Sequence, residues 1–486
     1  MMRFDFHQLL EWIRTAGEAA SAHTVPGVVN APQGVLELND VLTDSRAVKP
    51  GNVFVALRGE RFDAHDFLDA VAAQGAAAVV VERVPPGLAV PAIVVPDTRV
   101  ALGQIAHGWR AQRQIPVIGV TGSNGKTTVK EMIAAILAAA FGEDGYLGTR
   151  GNFNNEIGVP LTLFRLRAQH QAAVIEMGMN HPGEIAVLSR IAAPTLGLVN
   201  NAQREHQEFM ASVEAVAREN GAVIRHLPAD GVAVFPADDD FTPLWREEAG
   251  ARRVLTFGLN AQADVSASYQ ATAFGSTLQV TVKGLAVPPA QFKVELAAVG
   301  EHNVRNALAA AACALGAGIP VDAVVRGLQS FAPVNGRLQR KVARSGALVI
   351  DDTYNANPDS VRAAIDVLAA IAGPRVLVLG DMGEVGDQGP QFHAEIGAYA
   401  RSRGIPLFFG LGELTKYAVT SYGPTLQNVA QAMHFDDIGA LNAAVEQAAP
   451  QGATVLVKGS RFMKMERVVQ HLVNVESLTQ HQQETH

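Results

Sequence analysis

A single cysteine, Cys313, occurs in 486 residues, which excludes a disulfide within the chain and fits a reducing compartment. It stands in the alanine-rich run Ala307–Gly318, where a small buried apolar role is expected and a reactive thiol is not. Positive charge is also short. Lys and Arg number 39 against 47 Asp and Glu, a net charge of −8, so no nucleic-acid partner is expected and an anionic substrate must be held by local donors. No uninterrupted apolar run reaches bilayer-spanning length, so no membrane insertion is expected. The opening MMRFDFHQLLEWIRTAG mixes acids and a histidine among its apolar residues and does not read as a signal peptide. Internal repeats are absent, and only Ser477–His486 reads as a disordered tail. A cytoplasmic globular chain is expected, too long for one core and suited to about three domains.

One stretch stands out, Val117–Lys130, reading VIGVTGSNGKTTVK. Apolar and β-branched residues break at Thr121-Gly122-Ser123-Asn124-Gly125, then pass through Lys126-Thr127-Thr128 into the Ala-, Ile- and Met-rich Val129–Ala140. Strand, glycine turn and helix together turn backbone N–H groups and a helix N-terminus toward a phosphate. Lys126 is placed to reach the outer phosphates and the Thr127 hydroxyl to ligate Mg²⁺, so ATP with Mg²⁺ is expected. The pattern lacks one glycine: Val120 stands six positions before Lys126, giving G-x-x-G-K-T-T. The competing explanation, a glycine turn with an incidental lysine, is disfavoured by the flanking strand and helix.

The rest alternates strand and helix patterns and predicts an α/β fold of three domains. Residues 1–112 form a small α/β N-terminal domain, opening with an amphipathic helix over 3–20 that has Phe4, Leu9, Leu10, Trp12 and Ile13 available for one face. Its loop Thr43-Asp44-Ser45-Arg46 offers the Ser45 hydroxyl and Arg46 as donors to a diphosphate, with an ordinary turn as the alternative. Residues 113–333 form a central P-loop domain, a parallel sheet with an antiparallel appendage over Asp264–Val299. Asn154 and Asn155 belong to a hydrogen-bonding loop before a helix starting near Val159-Pro160; a plain turn-and-cap is the competing, less favoured explanation. Glu176 ends the apolar run Ala172–Glu176. An acid at the C-terminal end of a strand beside a P-loop suits Mg²⁺, and burying it without a cation is costly. His206 follows the strand Thr195–Asn200, in a loop where a histidine is ordinarily just solvated. A helix is predicted over Ser212–Leu227 with Ser212 as N-cap, and Asp238-Asp239-Asp240 reads as a solvated loop. Residues 334–486 form a C-terminal Rossmann-like domain, its site loops at the strand C-termini.

Taken together these stretches resemble the Mur ligases, the ATP-dependent amide-forming enzymes of peptidoglycan precursor synthesis, over nearly the whole chain. TGSNGKTT, EHNVRNALAA and NGRLQ are similar across that superfamily, folylpolyglutamate synthetases included. DSRAVKPGNVFVALRGERFDAHDF, GNFNNEIGVPLTL, EMGMNHPGEI, DDTYNANPDS and LGDMGEVG resemble the branch that adds D-alanyl-D-alanine to UDP-N-acetylmuramoyl-tripeptide. The D-N-P-R motif of the sister branch that adds a single amino acid is absent. The resemblance implies that Gly122, Ser123, Asn124, Gly125, Lys126, Thr127 and Thr128 cradle ATP, with Asn303 at the adenine, Arg337 at the outer phosphates and Asp352 at the ribose. Thr127, Glu176 and His206 would ligate Mg²⁺, and Lys126, His206 and Arg337 would be the catalytic groups. Ser45 and Arg46 would hold the UDP end, Asn154 and Asn155 the muramoyl-peptide, and Asn355, Asn357 and Asp381 the incoming dipeptide. A monomer acting on these small molecules through an acyl phosphate is expected.

One departure stands out. Several Mur ligases carry a lysine, carbamylated to an anion, in the helix after the histidine; by spacing from His206 that place falls on Asn220, beside Glu219. A neutral carboxamide cannot supply a carbamate's charge. The resemblance then implies that either Glu219 substitutes, or His206 and substrate oxygens hold the second Mg²⁺ alone. The rival readings are a sister-branch or folylpolyglutamate-type ligase, and a P-loop binding switch without ligase activity.

Overall fold

Separate stretches of sequence build three sheets. The computed structural model describes residues 1–17, 26–205, 208–272, 275–285, 290–423 and 431–473; the tail 477–486, expected to be disordered, lies outside them. The first sheet has the strand order Phe4–Asp5, Glu37–Leu42, Asn52–Val55, Ala78–Val81, Ala92–Val94, Gly27–Val29, parallel inside and antiparallel at both edges. Its opening corrects the helix predicted from residue 3: Phe4–Asp5 is a strand and the helix is Phe6–Gly17. Phe4 and Phe6 are buried with Asp5 half-exposed between them, an alternation of period two that draws the first residues onto the sheet edge.

Trp12 lies against both Phe4 and Trp109, with ring centroids 5.2 and 6.3 Å apart. Trp109 Nε1 donates to the Leu166 carbonyl and Arg110 Nε to that of Ala192, each at 3.2 Å. The apolar core of the first sheet therefore runs unbroken into one face of the second. Helix Thr98–Ala111 seats one on the other.

The second sheet has nine strands: Ala290–Leu296, Ser276–Val282, Val265–Ala271, Arg253–Gly258, Val232–Pro236, Leu196–Val199, Val117–Thr121, Ala172–Glu176, Tyr146–Gly148. Pairing is parallel from Val265–Ala271 onward and antiparallel before it, which is the expected appendage. Every residue of Val117–Thr121 and Ala172–Glu176 is buried, as strands covered on both faces must be. Helices Lys126–Phe141 and Glu301–Gly316 cover one face and Glu184–Ala192 and Ala222–Arg225 the other. The helix predicted over 212–227 is two, Val213–Asn220 and Ala222–Arg225, with Ser212 capping the first through the Ala215 N–H. Cys313 is buried, and burial pushes its thiol pKa up.

The third sheet runs Gln339–Val342, Leu348–Asp352, Thr454–Lys458, Arg375–Gly380, Leu407–Leu411, Gln431–Phe435. All its pairs are parallel except the first, and helices cover both faces in the Rossmann-like manner. Helices Thr242–Ala249, Val321–Ser330 and Thr415–Tyr422 and strands Arg253–Gly258, Gln339–Val342 and Gln431–Phe435 are additions to the elements that sequence spacing predicts. Among the described residues no helix is long and apolar enough to cross a membrane.

Candidate active site

Strand Val117–Thr121 lies between Leu196–Val199 and Ala172–Glu176, all parallel, so three chain segments leave the sheet at the same edge. The turn after Thr121 requires glycine twice. Gly122 has φ +130°, and a Cβ there would come within 2.9 Å of Asn200 Cβ; Gly125 has φ +82°, and a Cβ would meet Asn306 Oδ1 at 2.6 Å. Gly125 is the N-cap of Lys126–Phe141, so the helix starts ahead of the expected Val129 and its first N–H groups point out of the turn.

Lys126 Nζ donates to the carbonyls of Gly122 (2.5 Å) and Ser123 (3.1 Å) and to Glu205 Oε1 (2.9 Å). Thr127 Oγ1 donates to Glu176 Oε1 at 3.1 Å and accepts from Arg337 Nη2, of the third domain, at 2.9 Å. Asn154 Nδ2 donates to the same Glu176 oxygen at 2.9 Å. Glu176 is 2% exposed, and its Oε2 has no hydrogen-bond partner among the described residues. A buried carboxylate oxygen left so is costly unless a cation meets it. Thr127 and Glu176 therefore fit Mg²⁺. No group of three His, Cys, Asp or Glu forms a metal cluster among the described residues, so further ligands would be phosphate oxygens and water. His206, the third expected ligand, lies outside the described residues.

From the third domain, the Arg337 guanidinium stacks on Tyr354 with 4.1 Å to the ring centroid, and its buried Nε has no hydrogen-bond partner among the described residues. Asp352 accepts from Leu338 N at 3.1 Å and from Lys458 Nζ at 2.6 Å; Lys458 also donates to the Asn355 carbonyl at 2.9 Å. Asn303 donates to the Val299 carbonyl at 2.9 Å and accepts from Asn306 at 3.1 Å. Asn357 caps helix Pro358–Ala369 and reaches across to Asn124, Nδ2 to Oδ1, at 2.9 Å. Asn155 Oδ1 accepts the Gly158 N–H at 2.8 Å. Residues Ser123 to Thr128, Asn154, Asn155, Glu176, Asn303, Arg337, Asp352, Asn355 and Asn357 line one cleft of about 1230 Å³. This cleft separates the central domain from the third.

Ser45, Arg46 and Asp381 do not line it. The Arg46 side chain is 87% exposed, and its hydrogen bonds hold the Asp44 carboxyl down at about 2. Asp381 Oδ1 accepts the N–H groups of Leu414 and Thr415 at 3.0 and 2.8 Å, tying down the start of helix Thr415–Tyr422. Glu219 accepts the N–H groups of Gly183 and Ile185 at 2.9 Å each and does not line the cleft. Asn220 turns instead to the P-loop, its Oδ1 accepting the Gly122 N–H at 2.9 Å. The acids after Pro236 are more than a solvated loop: Asp238 pairs with Arg305 at 2.8 and 3.0 Å, and partial burial pushes the Asp239 carboxyl up. Sequence reasoning also passed over Glu205 and Lys458. Lys458 ends strand Thr454–Lys458 as Glu176 ends Ala172–Glu176, and that shared position was a usable signal.

Three family models match the chain: the Mur ligase family catalytic domain over 37–110, the Mur ligase middle domain over 120–314, and the Mur ligase, glutamate ligase domain over 336–461. The UDP-N-acetylmuramoyl-tripeptide--D-alanyl-D-alanine ligase of Escherichia coli (strain K12) is 41% identical over 439 residues, covering 90% of this chain and 94% of that one. A crystal structure of MurF from Acinetobacter baumannii aligns with a TM-score of 0.84 and 35% identity, covering 97% of this chain and 98% of that one. The MurF ligase of Thermotoga maritima in complex with ADP aligns with a TM-score of 0.77 and 27% identity, covering 89% and 96%. The protein is an ADP-forming, ATP-dependent ligase. It belongs to the Mur ligase family.

Proposed function

We propose that the chain joins D-alanyl-D-alanine to UDP-N-acetylmuramoyl-tripeptide with hydrolysis of ATP to ADP and phosphate, in peptidoglycan precursor synthesis. The relative of that name, similar along nearly the whole chain, supports the substrates. The observation that carries the chemistry is the meeting of Glu176 and Arg337, from two domains, on the hydroxyl of Thr127. We divide the labour as 1–112 for the UDP end, 113–333 for the P-loop, and 334–486 for the nucleotide and the dipeptide. A monomer in the cytoplasm, where ATP and UDP-linked sugars are found, completes the reading.

A peptide carboxylate is a poor electrophile. It attacks the γ-phosphorus of ATP, giving an acyl phosphate and ADP; the dipeptide amine then attacks the carbonyl and phosphate leaves. Bringing two anions together calls for positive charge at the meeting point. Lys126 and Arg337 supply two cations there. Thr127 and Glu176 would hold Mg²⁺, which would supply further charge neutralisation when bound. Asn154 holds Glu176 in place, and Lys458 does the same for Asp352. His206, outside the described residues, would serve a second Mg²⁺. The third domain keeps water from the acyl phosphate.

The test is phosphate release with UDP-muramoyl-tripeptide or folate as acceptor acid, offered D-Ala-D-Ala or single amino acids. Release that requires both UDP-muramoyl-tripeptide and D-Ala-D-Ala is expected. Release indifferent to the amine overturns the reading and favours a nucleotide switch.

A further inference from the structure

The loop after strand Leu196–Val199 holds the P-loop with one set of residues and the third domain with another. Toward the P-loop, Ser123 N donates to the Asn201 carbonyl at 3.1 Å, Asn124 N to Asn201 Oδ1 at 2.9 Å, and Asn124 Nδ2 to Gln203 Oε1 at 2.6 Å. Glu205 pairs with Lys126. Between Gln203 and Glu205 the chain turns Arg204 the other way. Its backbone N–H and Nη2 donate to Asp359 at 2.9 and 2.7 Å, its Nη1 to Glu395 at 2.8 Å, and its guanidinium lies 5.4 Å from the Phe392 ring centroid. These partners sit on two helices of the third domain, Pro358–Ala369 and Gly389–Ser402. A bidentate carboxylate, a second acid and an aromatic face together define one orientation of a guanidinium, as a single surface ion pair does not.

We propose that Arg204 is a positioning residue for the ligase reaction: it couples the seating of the third domain to the shape of the P-loop, so that phosphoryl transfer is confined to the closed arrangement. Acyl phosphate then forms only where the dipeptide site is in place and water is excluded. This inference rests on the ligase reading above.

The test uses the full chain with Mg-ATP and UDP-muramoyl-tripeptide, with and without D-Ala-D-Ala, counting phosphate and amide separately. In Arg204→Ala and in Asp359→Asn, amide formation falls by about tenfold or more, and phosphate released per amide rises above one as acyl phosphate is lost to water. Arg204→Lys keeps the charge without the fork and gives an intermediate ratio. Asp359→Asn approaches the contact from the other domain, and thermal unfolding beside the wild type identifies a variant that simply fails to fold. A ratio that stays at one phosphate per amide in the folded variants, whether or not rates fall, overturns the proposal. Failure of the ligase reading shows instead in the wild type, as phosphate release that D-Ala-D-Ala does not stimulate.

Discussion

The side-chain oxygen of Asn220 accepts the backbone N–H of Gly122 at 2.9 Å, and the Asn220 carbonyl accepts from Thr121 Oγ1 at 3.2 Å. A residue 1% exposed thus shapes the phosphate-binding turn from beneath. Asn220→Ala leaves the buried Gly122 N–H without an acceptor, a loss of about 1–3 kcal/mol. Raised KM for ATP is the expected result, with Asn220→Asp milder because it keeps an acceptor. A carboxamide cannot be carbamylated, so activity is also expected to survive in CO₂-depleted buffer. A bicarbonate-rescuable loss there sinks this account of Asn220.

Glu176 has one oxygen shared by Thr127 and Asn154 and one without a partner among the described residues. In Glu176→Gln the neutral amide keeps the shape and removes the charge that a divalent cation needs. Titrating Mg²⁺ in the ATP-dependent reaction checks this: the requirement is expected to rise by about tenfold or more. An unchanged Mg²⁺ dependence with lowered turnover would place Glu176 outside the metal site.

Why these positions were legible, and others not, follows from distance along the chain. The P-loop and Glu176 announce themselves because a run of β-branched residues ending in glycine or acid is a local signal. Arg204 and Asp359 meet across 155 residues, and nothing in the spacing of either names its partner. Asp381 is a related case. It ties down helix Thr415–Tyr422, and with that helix unrecognised its partners were invisible. Strand Gln339–Val342 opens with three polar residues, and only pairing with Leu348–Asp352 makes it a strand. Alternation in Phe4-Asp5-Phe6 was lost inside a longer helical pattern.

Lys458 and Asp352 form a 2.6 Å ion pair whose side chains are nearly buried. Removing one partner strands the other's charge, at a cost of about 3–5 kcal/mol. Lys458→Met is therefore expected to lower the unfolding midpoint of the third domain and raise KM for ATP. The double variant Lys458→Met/Asp352→Leu is expected to recover much of the stability and none of the nucleotide affinity. Calorimetry and ATP titration on the three proteins check this; additive stability losses would contradict it.

His393 is wholly buried between two commitments: Nε2 accepts the Met382 N–H at 3.0 Å, and Nδ1 lies 2.7 Å from the Gly389 carbonyl, to which it donates. That arrangement suits a neutral ring only. Burial lowers its pKa below the ordinary 6.5, with the Gly389 carbonyl and Asp381, 4.0 Å away, opposing more weakly. Below 6.5 the unfolded chain takes up a proton that the folded ring refuses, so stability is expected to fall as pH drops through that range. His393→Gln removes the titration, so its unfolding midpoint is expected to depend less on pH than the wild type's between about pH 8 and pH 5.5. Parallel pH profiles would show that His393 carries none of the dependence. The effect reaches the site through Met382-Gly383-Glu384: the Glu384 carbonyl accepts the Glu208 N–H of the central domain at 3.3 Å. A proton on His393 displaces the Met382 N–H it now holds, loosening a loop that seats one domain on the other, so ligase turnover is expected to decline only further down in pH, where the folded ring itself takes up the proton.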